Sequence, residues 1–420
     1  MMERRFVHIS LFGCLILQKF GLVLGTSFLG VGLPMFACAL AMLWYSGGVS
    51  PRPKHMIATA SFLVLVVLSA SMSYFIDDVR GRGSLLSVLL FMLLYLMLAL
   101  GPSRRFDRDD VIDIFLAYAL ILSVAGIAQY FLQFVGLRFV SFGATFPGLK
   151  PILIEKFFNS NAIVEYGSQT IRSNGVFLLE PSTLSQLLVV ALAIEILVKR
   201  RFTRLPVYLL AYLVTFSGTG FISAAFAIVL NSCLSAKGAV RGAILIVAGT
   251  LGFIALSQVA PEVTDRFTAR VSEFAMPGTS AYERYVAQYM AWEELASDTT
   301  ILTGLGSGSF EQYFVPKGMA SNAIVKLTAD YGIFISVLWL ALFCYLFWTP
   351  RVRFIGLLVI SLVLLGGGNE LNPTFLVPMA MVCIWSNLAL RVREEESESP
   401  GVATWRWPVH STGRERAALP

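Results

Sequence analysis

Met56-Ile-Ala-Thr-Ala-Ser-Phe-Leu-Val-Leu-Val-Val-Leu-Ser-Ala-Ser-Met-Ser-Tyr-Phe-Ile76 runs for 21 residues without a charge. An α-helix rises about 1.5 Å per residue, so a run of this length matches the hydrocarbon core of a bilayer, about 30 Å thick. In lipid every backbone polar group must bond internally, and a single apolar run does that as a helix. Comparable runs lie at 6–24, 27–45, 84–100, 111–135, 176–198, 205–216, 220–234, 242–259, 321–348, 354–365 and 373–390. The expectation is an all-α, polytopic membrane protein with about twelve transmembrane helices. Gln18 and Lys19 interrupt the first span, and the short pair around Ser217-Gly-Thr-Gly220 reads as two helices meeting at a break. The chain has 420 residues, 56% hydrophobic and only 14% charged, whereas a soluble domain of that size needs far more polar surface. Residues 1–390 form one transmembrane domain in this reading, and the polar, aperiodic 391–420 a disordered cytoplasmic tail.

Sidedness follows from the loops. Segments 51–55, 103–108, 199–204, 237–241 and 351–353 are short and basic. With Arg4, Arg5, Arg391 and Arg393 they fall on one side of a twelve-span bundle, which the positive-inside rule makes the cytoplasm. Both termini are then cytoplasmic, and two long polar segments, 136–175 and 261–320, lie outside. The balanced 77–82 loop also lands outside. The net charge of +6 belongs to these loops and does not signal nucleic acid. Segment 1–25 reads as the first helix, not a removed signal peptide. Cys14, Cys38, Cys233, Cys344 and Cys383 all lie in or beside apolar spans, so no disulfide framework is expected outside.

The outer segments carry the chemistry. The three histidines, His8, His55 and His410, lie elsewhere. There is no metal-ligand cluster, phosphate-binding glycine loop or nucleophile elbow, so no metal and no cofactor are expected. Arg172 stands near the exit of the first segment, where its fork suits a phosphate; an interfacial anchor or an ion pair with Glu155 or Glu165 is the plainer reading. Glu180 is expected one turn inside the next helix, followed by Pro181. An ionisable group at membrane depth is a functional candidate, here a general base; a pair with an arginine of another helix is the alternative. Arg284 lies in a helical stretch, 281–296, where Tyr282, Tyr285, Tyr289 and Trp292 form an aromatic stripe flanked by Arg284 and Gln288. That stripe suits sugar rings beside a phosphate, or equally an interfacial amphipathic helix. Gly304, Gly306 and Gly308 offer a backbone nest for an anion, or a flexible turn. Lys326 and Asp330 share a helix face and are expected to neutralise each other. Asn369 and Glu370 also reach the outer surface.

Four segments, in this order, are similar to landmarks of the O-antigen polymerase and O-antigen ligase superfamily of bacterial envelopes (Wzy-type polymerases and their ligase relatives). They are Arg172-Ser-Asn-Gly-Val-Phe-Leu-Leu-Glu-Pro181, Thr215-Phe-Ser-Gly-Thr-Gly220, Arg284 leading to Leu302-Thr-Gly-Leu-Gly306, and Ser321-Asn322 leading to Asp330-Tyr-Gly332. The resemblance implies a GT-C-like glycosyltransferase of the bacterial inner membrane. Its donor would be an oligosaccharide on undecaprenyl diphosphate, used at the periplasmic face without a nucleotide sugar or metal. The loop-arginine role falls to Arg172 and Arg284. Substrate-binding candidates are Tyr282, Tyr285, Gln288, Tyr289, Trp292, Gly304, Gly306, Asn322 and Asp330. Implied partners are the lipid-linked oligosaccharide, the lipid bilayer, a chain-length regulator and a flippase, with no nucleic acid. Ser321 stands where ligase-like members often carry histidine, and Gly218 where many members carry arginine. Both departures favour a polymerase of O-antigen or exopolysaccharide with Glu180 as base. A ligase, and a secondary transporter or flippase of lipid-linked sugars, remain the alternatives.

Overall fold

The computed structural model describes residues 2–24, 27–73, 75, 83–158, 163–164, 169–234, 236–259, 261, 264, 272–279, 281–297, 299–320 and 322–389. Glu165, Ser321, the 77–82 loop and the 391–420 tail lie outside the described residues. The described chain is mostly helical. Four helices are long and apolar enough to cross a membrane: Pro53–Ser73, Asp109–Val135, Pro181–Lys199 and Gly242–Val259. Six shorter apolar helices accompany them: Gly32–Tyr45, Leu85–Ala99, Thr219–Cys233, Ile333–Phe347, Arg353–Gly366 and Pro373–Trp385. The bundle's outer surface is apolar: Val64, Leu68, Leu89, Leu93, Phe334 and Val337 are all exposed. Such a surface is costly in water and natural against lipid. Buried hydroxyls bond back within their own helices, as Ser10 does to the Phe6 carbonyl, Ser123 to Ala119 and Ser361 to Leu357. This is the form a helical membrane protein requires.

Several expected spans differ from the observed elements. Residues 6–24 are not one helix: the Met2–Leu11 helix runs through a wide turn, Phe12–Ile16, into a strand, Gly21–Leu24. That strand pairs antiparallel with Ser27–Gly30, so the next helix starts only at Gly32. The cause is Lys19, wholly buried, whose ammonium stands 3.1 Å from Glu155. A buried lysine must reach its partner, and the chain leaves the helix to place it there. Residues 205–216 contribute only the nine-residue Leu205–Leu213 helix. The expected span 321–348 breaks at Gly332 (φ +87°) into Ala323–Tyr331 and Ile333–Phe347. A side chain there would strike the Leu302 carbonyl.

The basic loops gather at one end. Arg4 pairs with Asp110 at 3.1 Å, and Lys199 and Arg201 both reach Asp113. Strand Val49–Pro51 pairs with Leu100–Pro102, joining two further basic loops. Arg284, in the second long polar segment, pairs with Glu180, just past the first. The main core centres on aromatic packing of Phe6, Phe36, Phe106 and Trp385. A second, smaller core under the 281–320 segment unites Ala287, Ala291, Leu295, Phe310, Phe314 and Val325.

Candidate functional site

Glu180 ends an extended stretch; the helix behind it begins at Pro181, not a turn earlier. Proline disfavours helical backbone at the residue before it and fits the first helical position. Gly175 and Val176 both carry positive φ, +70° and +66°, which also excludes a helix there. Three glutamines hold this stretch. The Gln129 side-chain oxygen accepts the Ser173 hydroxyl and the backbone N–H groups of Asn174 and Val176. Gln133 pairs with both backbone groups of Ile171. Gln18 accepts the Leu179 N–H at 2.9 Å and donates to Thr374.

Arg284 arrives from the other long segment, on a wide helical turn, Tyr282–Val286, that continues as the Ala287–Ala296 helix. Its Nη2 donates to Glu180 Oε2 at 3.3 Å, and its Nη1 to Thr219 Oγ1 at 3.2 Å. The Ser182 hydroxyl donates to the same Glu180 oxygen at 2.8 Å. Ser217 lies 3.4 Å from Thr219 Oγ1 and 3.2 Å from Ser185 Oγ. Glu180 Oε1 engages no described residue. The Arg284 and Glu180 side chains are 19% and 24% exposed, so water reaches the pair.

Two helix N-termini converge on this pair. Pro181–Ile194 starts directly behind Glu180, and Thr219–Cys233 starts at the residue that receives Arg284. Their crossing is close because Gly220 has no side chain: a Cβ there would sit 2.7 Å from the Ser185 carbonyl oxygen. The first turn of a helix leaves backbone N–H groups unpaired and carries partial positive charge. Together with the guanidinium and the hydroxyls of Ser182, Ser217 and Thr219, these ends make a site suited to an anion. The Glu180 carboxylate balances part of that charge.

The other expected residues fall into distinct places. Arg172 donates to the Val164 carbonyl at 3.3 Å. Its neighbour Ser173 donates to the Val214 carbonyl, setting the Arg172 backbone against the turn that leads to Ser217 and Thr219. Glu155 is taken by Lys19. Asn322 caps the Ala323–Tyr331 helix and donates to the Leu364 carbonyl. The Tyr285 hydroxyl donates to Leu365, the next residue of the same helix end. Gln288 bonds back to the Arg284 carbonyl. Burial raises the Glu283 carboxyl above the usual carboxylate range, with the Arg284 charge opposing.

The aromatic stripe is not one surface. Tyr282 and Trp292 pack on the smaller core, Tyr285 stacks on Phe274, and Tyr289 is 75% exposed. The wide turn at 282–286 departs from 3.6 residues per turn and rotates its tyrosines away from those that follow. The glycine run is likewise not an open nest. The Leu305 and Gly306 N–H groups bond the carbonyls of Ala329 and Asp330, and Ser69 bonds that of Tyr331. Residues 304–306 therefore cap the free carbonyls of the broken helix. Asp330 is 1% exposed and accepts the Phe310 N–H at 3.0 Å. It anchors this turn from within rather than facing an opening. Lys326 joins Asp330, as expected, and also Glu311.

Sequence reasoning passed over Thr219, Ser182, Ser217 and the three glutamines as individual site residues. Gln129 and Gln133, four apart near the end of an apolar span, were the readable signal. The short hydroxyl side chains offered none, because serine and threonine satisfy themselves within helices. No protein-family model, curated protein or solved structure matches this chain.

Proposed function

We propose that this protein is a polysaccharide polymerase of the bacterial inner membrane, joining oligosaccharide repeats carried on undecaprenyl diphosphate at the outer face. The observation that carries the reading is the Glu180–Arg284 pair at two converging helix N-termini, 3.3 Å apart and open to solvent. One carboxylate oxygen is held and the other has no hydrogen-bond partner among the described residues, the state a general base needs. The cationic groups beside it suit a diphosphate leaving group.

In this reading an acceptor hydroxyl gives its proton to Glu180 Oε1 and attacks the anomeric carbon of the donor. The new C–O bond forms as the anomeric carbon–phosphate oxygen bond breaks. Undecaprenyl diphosphate leaves with the bonding electrons, and Arg284 and the Thr219–Cys233 N-terminus stabilise its charge. One displacement inverts the anomeric centre. Arg172, next to the 214–219 turn, is the second cation on the donor. The lipid tail stays among the exposed apolar helix faces.

The test is polymer length. An Arg284→Ala variant expressed at the normal level should accumulate single lipid-linked repeats and no ladder. Full-length polymer would overturn the proposal, and accumulation of long lipid-linked polymer would assign the protein to ligation instead.

A further inference from the structure

Glu370 lies in the 367–372 link between the Arg353–Gly366 and Pro373–Ala380 helices. Its side chain is wholly buried, and neither carboxylate oxygen has a hydrogen-bond partner in another described residue. Lys326, Glu311 and Asp330 all act on it electrostatically. Tyr95 donates to the Glu370 backbone carbonyl at 3.0 Å and itself receives the Trp339 N–H, so these two do not serve the carboxylate. The Lys326 ammonium is already committed, to Glu311 and, at 3.3 Å, to Asp330. Three carboxylates thus share one cation. Glu311 and Asp330 are paired, and Glu370 is the one left over. An isolated buried carboxylate is far costlier than a neutral acid. Glu311 is 51% exposed, so water reaches the rim of the cluster.

We infer that Glu370 binds one exchangeable proton, and that losing this proton draws the Lys326 ammonium away from Asp330. Burial pushes the Glu370 carboxyl from its ordinary 4.5 up to about 7; Lys326 favours the ionised form, and Glu311 and Asp330 oppose it. Asp330 is the anchor of the glycine turn, through the Phe310 N–H on its side chain and the Gly306 N–H on its carbonyl. Proton loss at Glu370 therefore loosens residues 304–310. Next to Glu370, Asn369 donates to Gln186 at 3.0 Å, on the helix that starts behind Glu180. The proton site thus borders the helix that starts behind Glu180 without belonging to the candidate site, and it stands whether or not the sugar chemistry does.

The experiment is infrared spectroscopy of the purified full-length protein in lipid nanodiscs, titrated across about two pH units either side of neutral. The expected result is a protonated-carboxyl band that fades as pH rises, shifts in deuterium oxide and is missing from Glu370→Gln. Amide hydrogen exchange over 304–310 should quicken with pH in the wild type, beyond its intrinsic pH dependence, and not in the variant. A wild-type spectrum with no such titrating band, a band that persists in Glu370→Gln, or 304–310 exchange identical in both proteins would each overturn the inference.

Discussion

Arg284 Nη2 stands 3.3 Å from Glu180 Oε2, joining residues 104 positions apart in the chain. Glu180 lies just past the first polar segment and Arg284 within the second, and each is the other's counter-charge. The pair neutralises itself while empty. In the proposed reaction an incoming anion competes with Glu180 for Arg284.

Glu180→Gln separates charge from shape. Glutamine keeps an acceptor for Ser182 and Arg284 and removes the negative charge. The expected result is a loss of chain elongation of at least ~100-fold, the usual scale for a general base, at unchanged protein level. Turnover of purified lipid-linked repeats measures it. Elongation at the wild-type rate would exclude Glu180 as the base.

Thr219→Val removes the acceptor for Arg284 Nη1 and leaves the helix intact. A hydrogen bond to a charged group contributes about 1.5–3 kcal/mol, so elongation should fall ~10- to 100-fold. Thr219→Ser should retain most activity, because it keeps the oxygen. Equal rates in both variants would show that Thr219 does not position Arg284.

Lys19→Ala should destabilise the protein more than any surface change. It leaves Glu155, 9% exposed, without its cation. Removing one partner of a buried pair costs about 3–5 kcal/mol. Glu155 also accepts the N–H groups of Phe142 and Gly143, so the damage should centre on residues 139–158. Thermal unfolding in detergent and proteolytic nicking of that segment report it. Lys19→Met combined with Glu155→Gln should recover part of the loss. An unchanged melting temperature in Lys19→Ala would contradict the role given to this pair.

Glu370 sets a pH dependence of stability. Its carboxyl is raised in the folded state from 4.5 to about 7, so between those values the folded protein holds a proton that the unfolded chain has lost. Stability therefore falls as pH rises through that window, in total on the order of 3 kcal/mol. Glu370→Gln removes the titration and should flatten the profile. Melting temperatures of the two proteins, compared from about pH 5 to about pH 8, check this; parallel profiles would contradict it.

Much of the architecture was legible in local pattern. The 56–76 run appears as Pro53–Ser73, and 111–135 as Asp109–Val135, because length and apolarity alone select a helix in lipid. The misplaced boundaries share one cause. Hydropathy does not register a buried polar pair, so the helix at 6–24 was carried past Lys19. Nor does it register a glycine that must pass a neighbouring carbonyl, so 321–348 was read across Gly332. Glu180 and Arg284 stood out as charges flanked by apolar or aromatic residues. The capping role of Gly304–Gly306 depends on partners distant along the chain, Ala329 and Asp330.

The sequence by itself determined a helical bundle with apolar faces, the two polar segments and the charged residues at their ends. Those are properties of composition and period, which each stretch carries alone. Only the tertiary structure decided which charge meets which. It spent Asp330 on a turn and Lys19 on Glu155, paired Glu180 with Arg284, and buried Glu370 with no ion pair among the described residues. The reason is that a buried charge is set by whichever opposite charge the packing brings within a few ångströms, and sequence order does not encode that distance.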